Sequence, residues 1–157
     1  MFHTAQRKLF IVDIENLLGT DRSRYGVRQV WEGLRPAVST QDHIVVASGP
    51  TMARVALFEL AGVPMSYHVR AGLNGADHEL LDRIDELHAA SRYDVMVIAS
   101  GDHAFTSMAL RATSAGMKVW QLAGRGGVSR QLRGATQLHA KLNIRRQGVP
   151  QELVLAA

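Results

Sequence analysis

Three aspartates stand where a carboxylate could do chemistry. Asp13 lies at the end of an apolar run over residues 8–14, Asp102 follows the run 94–99 by three positions, and Asp77 falls in the first turn of a helical stretch after a glycine-rich turn. Carboxylates gathered at one place repel each other unless a cation or a proton intervenes, so such a cluster implies a hard divalent metal or raised pKa values. The metal is the expectation, as Mg²⁺ or Mn²⁺. These ions take oxygen ligands, keep several waters and bind through one or two carboxylates plus a substrate phosphate. They orient and ionise water, polarise phosphorus and stabilise a leaving oxygen, and a pair about 3.5–4 Å apart does both halves of a displacement. Asn16, one turn beyond Asp13, supplies an amide that could hold Asp13 or a bound water. The plainer alternative is that Asp13 and Asn16 cap one helix and Asp77 caps another.

The elements that would carry these residues follow from the hydrophobic pattern. With 157 residues, 46% apolar and 20% charged, the chain is sized for one soluble domain with a real core. Apolar, β-branched runs of strand length alternate with stretches of helical period, the mark of βαβ units and a mainly parallel sheet. Strands are expected at 8–14, 43–47, 64–69, 94–99 and 117–122, with an edge strand near 137–142. Helices are expected at 26–36, 51–60, 76–90, after SGDHAF at 100–105 to about 114, and briefly at 129–133. This predicts a doubly wound α/β sandwich of five to six strands with helices on both faces, in an order such as 3-2-1-4-5. Ligands bind such sheets at the carboxyl ends of the strands, where the order reverses. Strands one and four would be neighbours there, bringing Asp13 and Asp102 together, with Asp77 on the same edge. One domain over 1–146 with a loosely held tail over 147–157 is expected.

Composition narrows the function classes. The absence of cysteine excludes disulfides, thiolate zinc sites and cysteine nucleophiles. No apolar run approaches the roughly 20 residues of a membrane helix and the N-terminus lacks a signal-peptide pattern, so a cytoplasmic protein without membrane attachment is expected. The formal net charge is +4, but its placement says more. From Lys118 onward there are seven basic residues and one acid, Glu152, whereas Gly75 to Asp102 holds seven acids against Arg83 and Arg92. Acids to hold cations beside arginines to hold phosphates suit a polyanionic partner; solvated surface charge is the alternative. The loop 124–130 (GRGGVSR) follows the fifth strand, where its amides with Arg125, Ser129 and Arg130 could meet phosphate, or it could be an ordinary loop. It lacks the ending of a P-loop, and AGLNG at 71–75 departs from the dinucleotide fingerprint. His103, beside Asp102, could give a proton or contact phosphate, or simply face solvent. His43, His68, His88 and His139 have no metal spacing, and Trp31 and Trp120 fall in periodic apolar segments expected in the core.

The segments VDIEN at 12–16, NGADHELL at 74–81 and IASGDHAFTSMALRATSAGMKVWQL at 98–122 resemble the NYN domain, a PIN-like nuclease family. The resemblance runs in family order from about Leu9 to Leu138. It implies a metal-binding acidic pocket that cleaves RNA, built here from Asp13, Asn16, Asp77 and Asp102, with Ser100 and Gly101 shaping the Ser-Gly-Asp turn and Phe105 as the aromatic after it. Two family acids are replaced: Ala104 stands two residues after Asp102, and Arg83 six after Asp77, with Asp82 turned off Asp77's face. Glu15 is a substitute ligand if the first strand continues that far. The expected function is metal-dependent ribonuclease action on single-stranded or structured RNA. The alternatives are an NYN-fold module that binds nucleic acid or protein without turnover, and a hydrolase of small phosphorylated compounds. Self-association into a homo-oligomer is left open, and no protein partner is named.

Overall fold

Alternating facing along the central strands builds apolar layers on both sides of one sheet. In β1 (Lys8–Asp13), Leu9 and Ile11 enter one cluster while Phe10 and Val12 enter the other. β2 (His43–Ser48) and β4 (Val95–Ala99) divide the same way, Val45, Ala47, Met96 and Ile98 against Ile44, Val46, Val95 and Val97. Strands buried on both faces require helices on both, which selects a parallel α/β arrangement. The computed structural model, which describes residues 5–144, completes the sheet with β3 (Ser66–Val69), β5 (Lys118–Ala123) and β6 (Leu138–Lys141). Its six strands run in the order β3-β2-β1-β4-β5-β6, every neighbouring pair parallel. The doubly wound three-layer sandwich expected from the sequence is therefore the fold, with β1 and β4 adjacent where the order reverses.

Helices α1 (Ile14–Leu18), α2 (Arg24–Leu34) and α3 (Pro50–Glu59) cover the Phe10–Val12 face through residues such as Leu17, Val27, Val30, Met52 and Ala56. The other face is covered by α4 (Gly75–Arg83), α5 (Glu86–Ala90), α6 (Thr106–Ser114) and α7 (Arg130–Gly134), through Leu80, Ala89, Met108 and Leu132. By the two-residue period, Asp13 points to this second face, beneath α4, where Ala76 and Leu80 pack. Phe105, fully buried in the short 3₁₀ turn His103–Phe105, anchors the segment after β4, and burial of such a ring stabilises by roughly 1.5–3 kcal/mol.

Beyond shifts of one or two residues at several ends, three departures from the expectation have a clear local cause. β1 stops at Asp13 because its carboxylate accepts the Asn16 N–H at 3.3 Å, turning Ile14 into α1 instead of extending the strand. The single helix expected over 76–90 is two: Ile84 is extended (φ −92°, ψ 116°) and Asp85 starts α5 by accepting the His88 N–H at 3.0 Å. β3 begins at Ser66, where pairing with Val45 starts, since Pro64 has no N–H to offer a ladder. Trp31 and Trp120 pack against the core as expected. The expected tail over 147–157 lies outside the described residues.

Candidate functional site

The carboxyl ends of β1, β2 and β4 open into a cleft of about 430 Å³ whose lining includes Asp13, Glu15, Asn16, Asp77 and Asp102. Each comes from a different connection. Asp13 ends β1, Asp77 sits in the first turn of α4, and Asp102 follows β4 and receives the Ala104 N–H at 2.9 Å. Asn16 ties two of these connections together: its N–H donates to Asp13, and its Oδ1 accepts the Gly101 N–H at 2.9 Å. Ser100, fully buried, donates its hydroxyl to Asp13 Oδ2 at 3.3 Å and accepts the Asp102 N–H at 3.1 Å. The capping reading of Asp13 is thus correct locally, and the same carboxylate also lines the cleft.

Burial makes the acids costly to ionise together. Asp13 is only 4% exposed, and burial first, then the adjacent Asp77, push its pKa up to about 8. Asp77 is raised as well, by burial and by the charge of Asp102, while its hydrogen bond with Asp13 pulls the other way. Asp13 and Asp77 are therefore a coupled pair of raised carboxyls, with the charge of Asp102 beside Asp77. Among the described residues no three His, Asp or Glu side chains are already disposed as a cage for a metal ion. The donor chemistry nevertheless suits a hard divalent cation: oxygen ligands only, and protons held in common that such an ion would displace.

His103, Arg125, Ser129 and Arg130 fall outside that cleft, although Gly126 of the 124–130 loop lines it. His103 is 77% exposed in its side chain, with Nδ1 3.3 Å from Asp102 Oδ1. Arg125 pairs with Asp21 at 2.9 Å, Ser129 caps α7 by accepting the Leu132 N–H at 3.4 Å, and Arg130 is exposed at the start of α7. The 124–130 loop spends its first amides on protein: the Arg125 and Gly126 N–H groups donate to the Leu17 and Asn16 carbonyls at 2.9 and 3.0 Å. Gly124 and Gly126 serve close packing against α1, whereas a Cβ on Gly127 would meet nothing within 4 Å. A Cβ on Gly126 would meet Asn16 O at 2.4 Å, and one on Gly101 would meet Gly127 O at 1.9 Å. Asp82 pairs with Arg70 at the surface, as its helical position predicts, and Glu15 accepts from Arg22 and from the Gly49 N–H.

Sequence reasoning passed over three residues here. Gln121, 1% exposed, donates its amide to the Ser100 carbonyl at 3.1 Å and so braces the turn that carries Asp102. A glutamine inside an apolar strand is itself a signal, because a buried amide needs a partner. Arg22 and Arg70 also line the cleft. Their only sequence cue is that both fall in connections between elements, Arg22 before α2 and Arg70 after β3.

A doubly wound parallel sheet with carboxylates at the reversal point of its strand order is the architecture of PIN-like α/β domains. Residues 9–143 match the NYN domain, and the chain belongs to that family. Among solved structures it is similar to a protein of unknown function, VPA0982, from Vibrio parahaemolyticus, with a TM-score of 0.62 at 16% identity over 90% of this chain and 95% of that one. That likeness establishes the shared fold. Among curated proteins none matches the chain. Among the described residues no helix is long and apolar enough to cross a membrane.

Proposed function

We propose that the protein is a metal-dependent ribonuclease that hydrolyses RNA phosphodiester bonds in the acidic cleft. Membership in a family that includes nucleases supports the reaction class. The observation that carries the reading for this chain is the convergence of Asp13, Asp77 and Asp102 from three separate connections into one cleft, with the pKa values of Asp13 and Asp77 both raised by burial. Mg²⁺ or Mn²⁺ held by these three acids would supply an activated water and charge neutralisation at phosphorus. The chain's own residues do the rest. Asp13 is buried and fixed by Asn16 and Ser100, so its oxygens are preorganised; Asp102, more open, faces the entering strand. Asn16 and Ser100 act as positioning residues, coupling the end of β1 to the turn after β4. His103, Arg125, Ser129 and Arg130 contribute cationic and polar surface beside the cleft, for single-stranded or structured RNA.

The test is cleavage of end-labelled single-stranded RNA with Mn²⁺, Mg²⁺ or EDTA, beside Asp102→Asn and an Asp13→Asn/Asp102→Asn variant. Products that vanish with EDTA and in both variants, while the variants stay folded by circular dichroism, are expected. Undiminished cleavage by Asp102→Asn would refute the assignment. A second reading, an NYN-fold module that binds RNA or protein without turnover, is favoured by Ala104, which stands where the family resemblance places another acid. Salt-sensitive RNA binding without products would support it. Hydrolysis of a chromogenic phosphate ester but not of RNA would move the protein to small phosphorylated substrates.

A further inference from the structure

We infer, resting on the ribonuclease reading, that Arg22 and Arg70 form a two-walled phosphate clamp, so that the substrate is a polynucleotide strand crossing the cleft and not a single phosphate ester. Both guanidinium-bearing residues line the same cavity as Asp13, Asp77 and Asp102. They reach it from connections that serve opposite faces of the sheet: Arg22 from the α1–α2 connection, Arg70 from the β3–α4 connection. Each is placed by contacts that leave donors over. Arg22 gives Nε to the Gly19 carbonyl at 3.0 Å and Nη1 to Glu15 at 3.3 Å, two of its five N–H groups among the described residues. The Arg70 backbone is pinned by its N–H to the Ser48 carbonyl at 3.1 Å and by the close approach of its own carbonyl to Gly75, where a Cβ would lie 2.4 Å away. Its Nη1, on a side chain 41% exposed, pairs at 2.6 Å with Asp82, 68% exposed, and at 3.7 Å with the more buried Glu79.

These ion pairs decide the matter. Exposed pairs contribute little, being screened and entropically costly, whereas a guanidinium on a phosphate makes charge-assisted, often bidentate hydrogen bonds. Arg22 and Arg70 can therefore trade a carboxylate for a phosphate with little loss. The cleft also needs them: a floor of carboxylates repels a polyanion, and a cation on that floor compensates only the phosphate it touches. Flanking phosphates need flanking charge, and these two residues supply it inside the cavity.

The experiment compares wild type with Arg22→Gln, Arg70→Gln, the double variant and its Lys/Lys counterpart. Arg92→Gln is the control, an equal charge loss at an exposed position preceding β4, on the opposite edge of the sheet. With single-stranded RNA and Mn²⁺, the double Gln variant should raise KM about tenfold and leave kcat within about twofold, the signature of lost uniform binding. The Lys/Lys variant should fall between, and Arg92→Gln should match wild type. A KM equal to that of Arg92→Gln, or a fall in kcat alone, overturns the clamp while leaving the nuclease reading in place. Binding of fluorescein-labelled RNA is read in parallel by anisotropy against salt. The slope of log K on log salt should drop by roughly 0.7 for each phosphate contact removed from a single strand, hence about 1.4 in the double variant. That drop in a wild-type background that cuts nothing would sustain the clamp and sink the nuclease. An unchanged slope, or no RNA binding by wild type, overturns the clamp.

Discussion

Replacing Asp13 by Asn should stabilise the metal-free protein, although it removes a residue placed at the heart of the site. The carboxyl titrates near 8 when folded against 3.8 for an ordinary aspartate, so below about pH 8 the folded chain carries a proton that the unfolded chain releases above about 3.8. Stability associated with that proton is fully present below about pH 3.8 and is lost as pH rises towards 8. One pKa unit corresponds to about 1.4 kcal/mol, so at pH 7 the linkage cost approaches about 4 kcal/mol, and sharing of the proton with Asp77 lowers the expected gain to about 2–4 kcal/mol. Asparagine fits without new strain: its oxygen keeps the Asn16 N–H, and the Ser100 hydroxyl, which now donates to Asp13, can turn to accept from the new amide. Thermal unfolding in EDTA, followed by circular dichroism from pH 4 to 8, should show wild type and variant converging at the acid end. At pH 7.5 the variant should be higher by about 10 °C, given roughly 2–4 °C per kcal/mol for a chain of this size. Mn²⁺ should then raise the Tm of wild type more than that of the variant. A variant no more stable than wild type at pH 7.5, or a wild-type Tm that does not fall over this range, would refute the account of Asp13.

Because a divalent ion must displace the proton held by the Asp13–Asp77 pair, calorimetric Mn²⁺ affinity should rise at least about tenfold from pH 6 to pH 8, with proton release visible as a buffer-dependent heat; an affinity indifferent to pH would contradict the raised pair. Gly101→Ala drives a Cβ into the Gly127 carbonyl and should cost about 2–3 kcal/mol in urea unfolding, with cleavage impaired through the displaced Asp102 turn. Gln121→Leu strips the buried Ser100 carbonyl of its donor and should cost about 1–3 kcal/mol, a loss that an unchanged urea midpoint would disprove.

What the sequence makes legible is what short-range pattern controls. The run VMVIA is buried at every position of β4, and its neighbourhood with β1 follows from chain order and crossover handedness, so Asp13 and Asp102 could be placed at one edge before any contact was known. The break between α4 and α5 was hidden because Leu80, Leu81, Ile84 and Leu87 keep a helical spacing through it, while a single capping bond from Asp85 decides the backbone. The fate of the 124–130 loop was equally hidden. Its glycines read as room for phosphate, yet at Gly124 and Gly126 the space is filled by α1, a contact between segments about a hundred residues apart. Arg22 and Arg70 escaped for another reason. Long side chains on connections carry no periodic signal, and only the assembled cleft reveals which of fifteen arginines line it.

The alternation along β1 acts as a reading frame for the site. Its odd positions, Leu9 and Ile11, lead to Asp13, and its even positions, Phe10 and Val12, lead into solid apolar packing. Inserting one residue between Lys8 and Asp13 would present a hydrocarbon to the cleft and drive a carboxylate into the opposite layer. Loops around the sheet can change length without that penalty. Divergence in this fold should therefore accumulate at the connections and stop at the parity of the central strand, and the protein can be retuned by rewriting its rims far more readily than by shifting its spine.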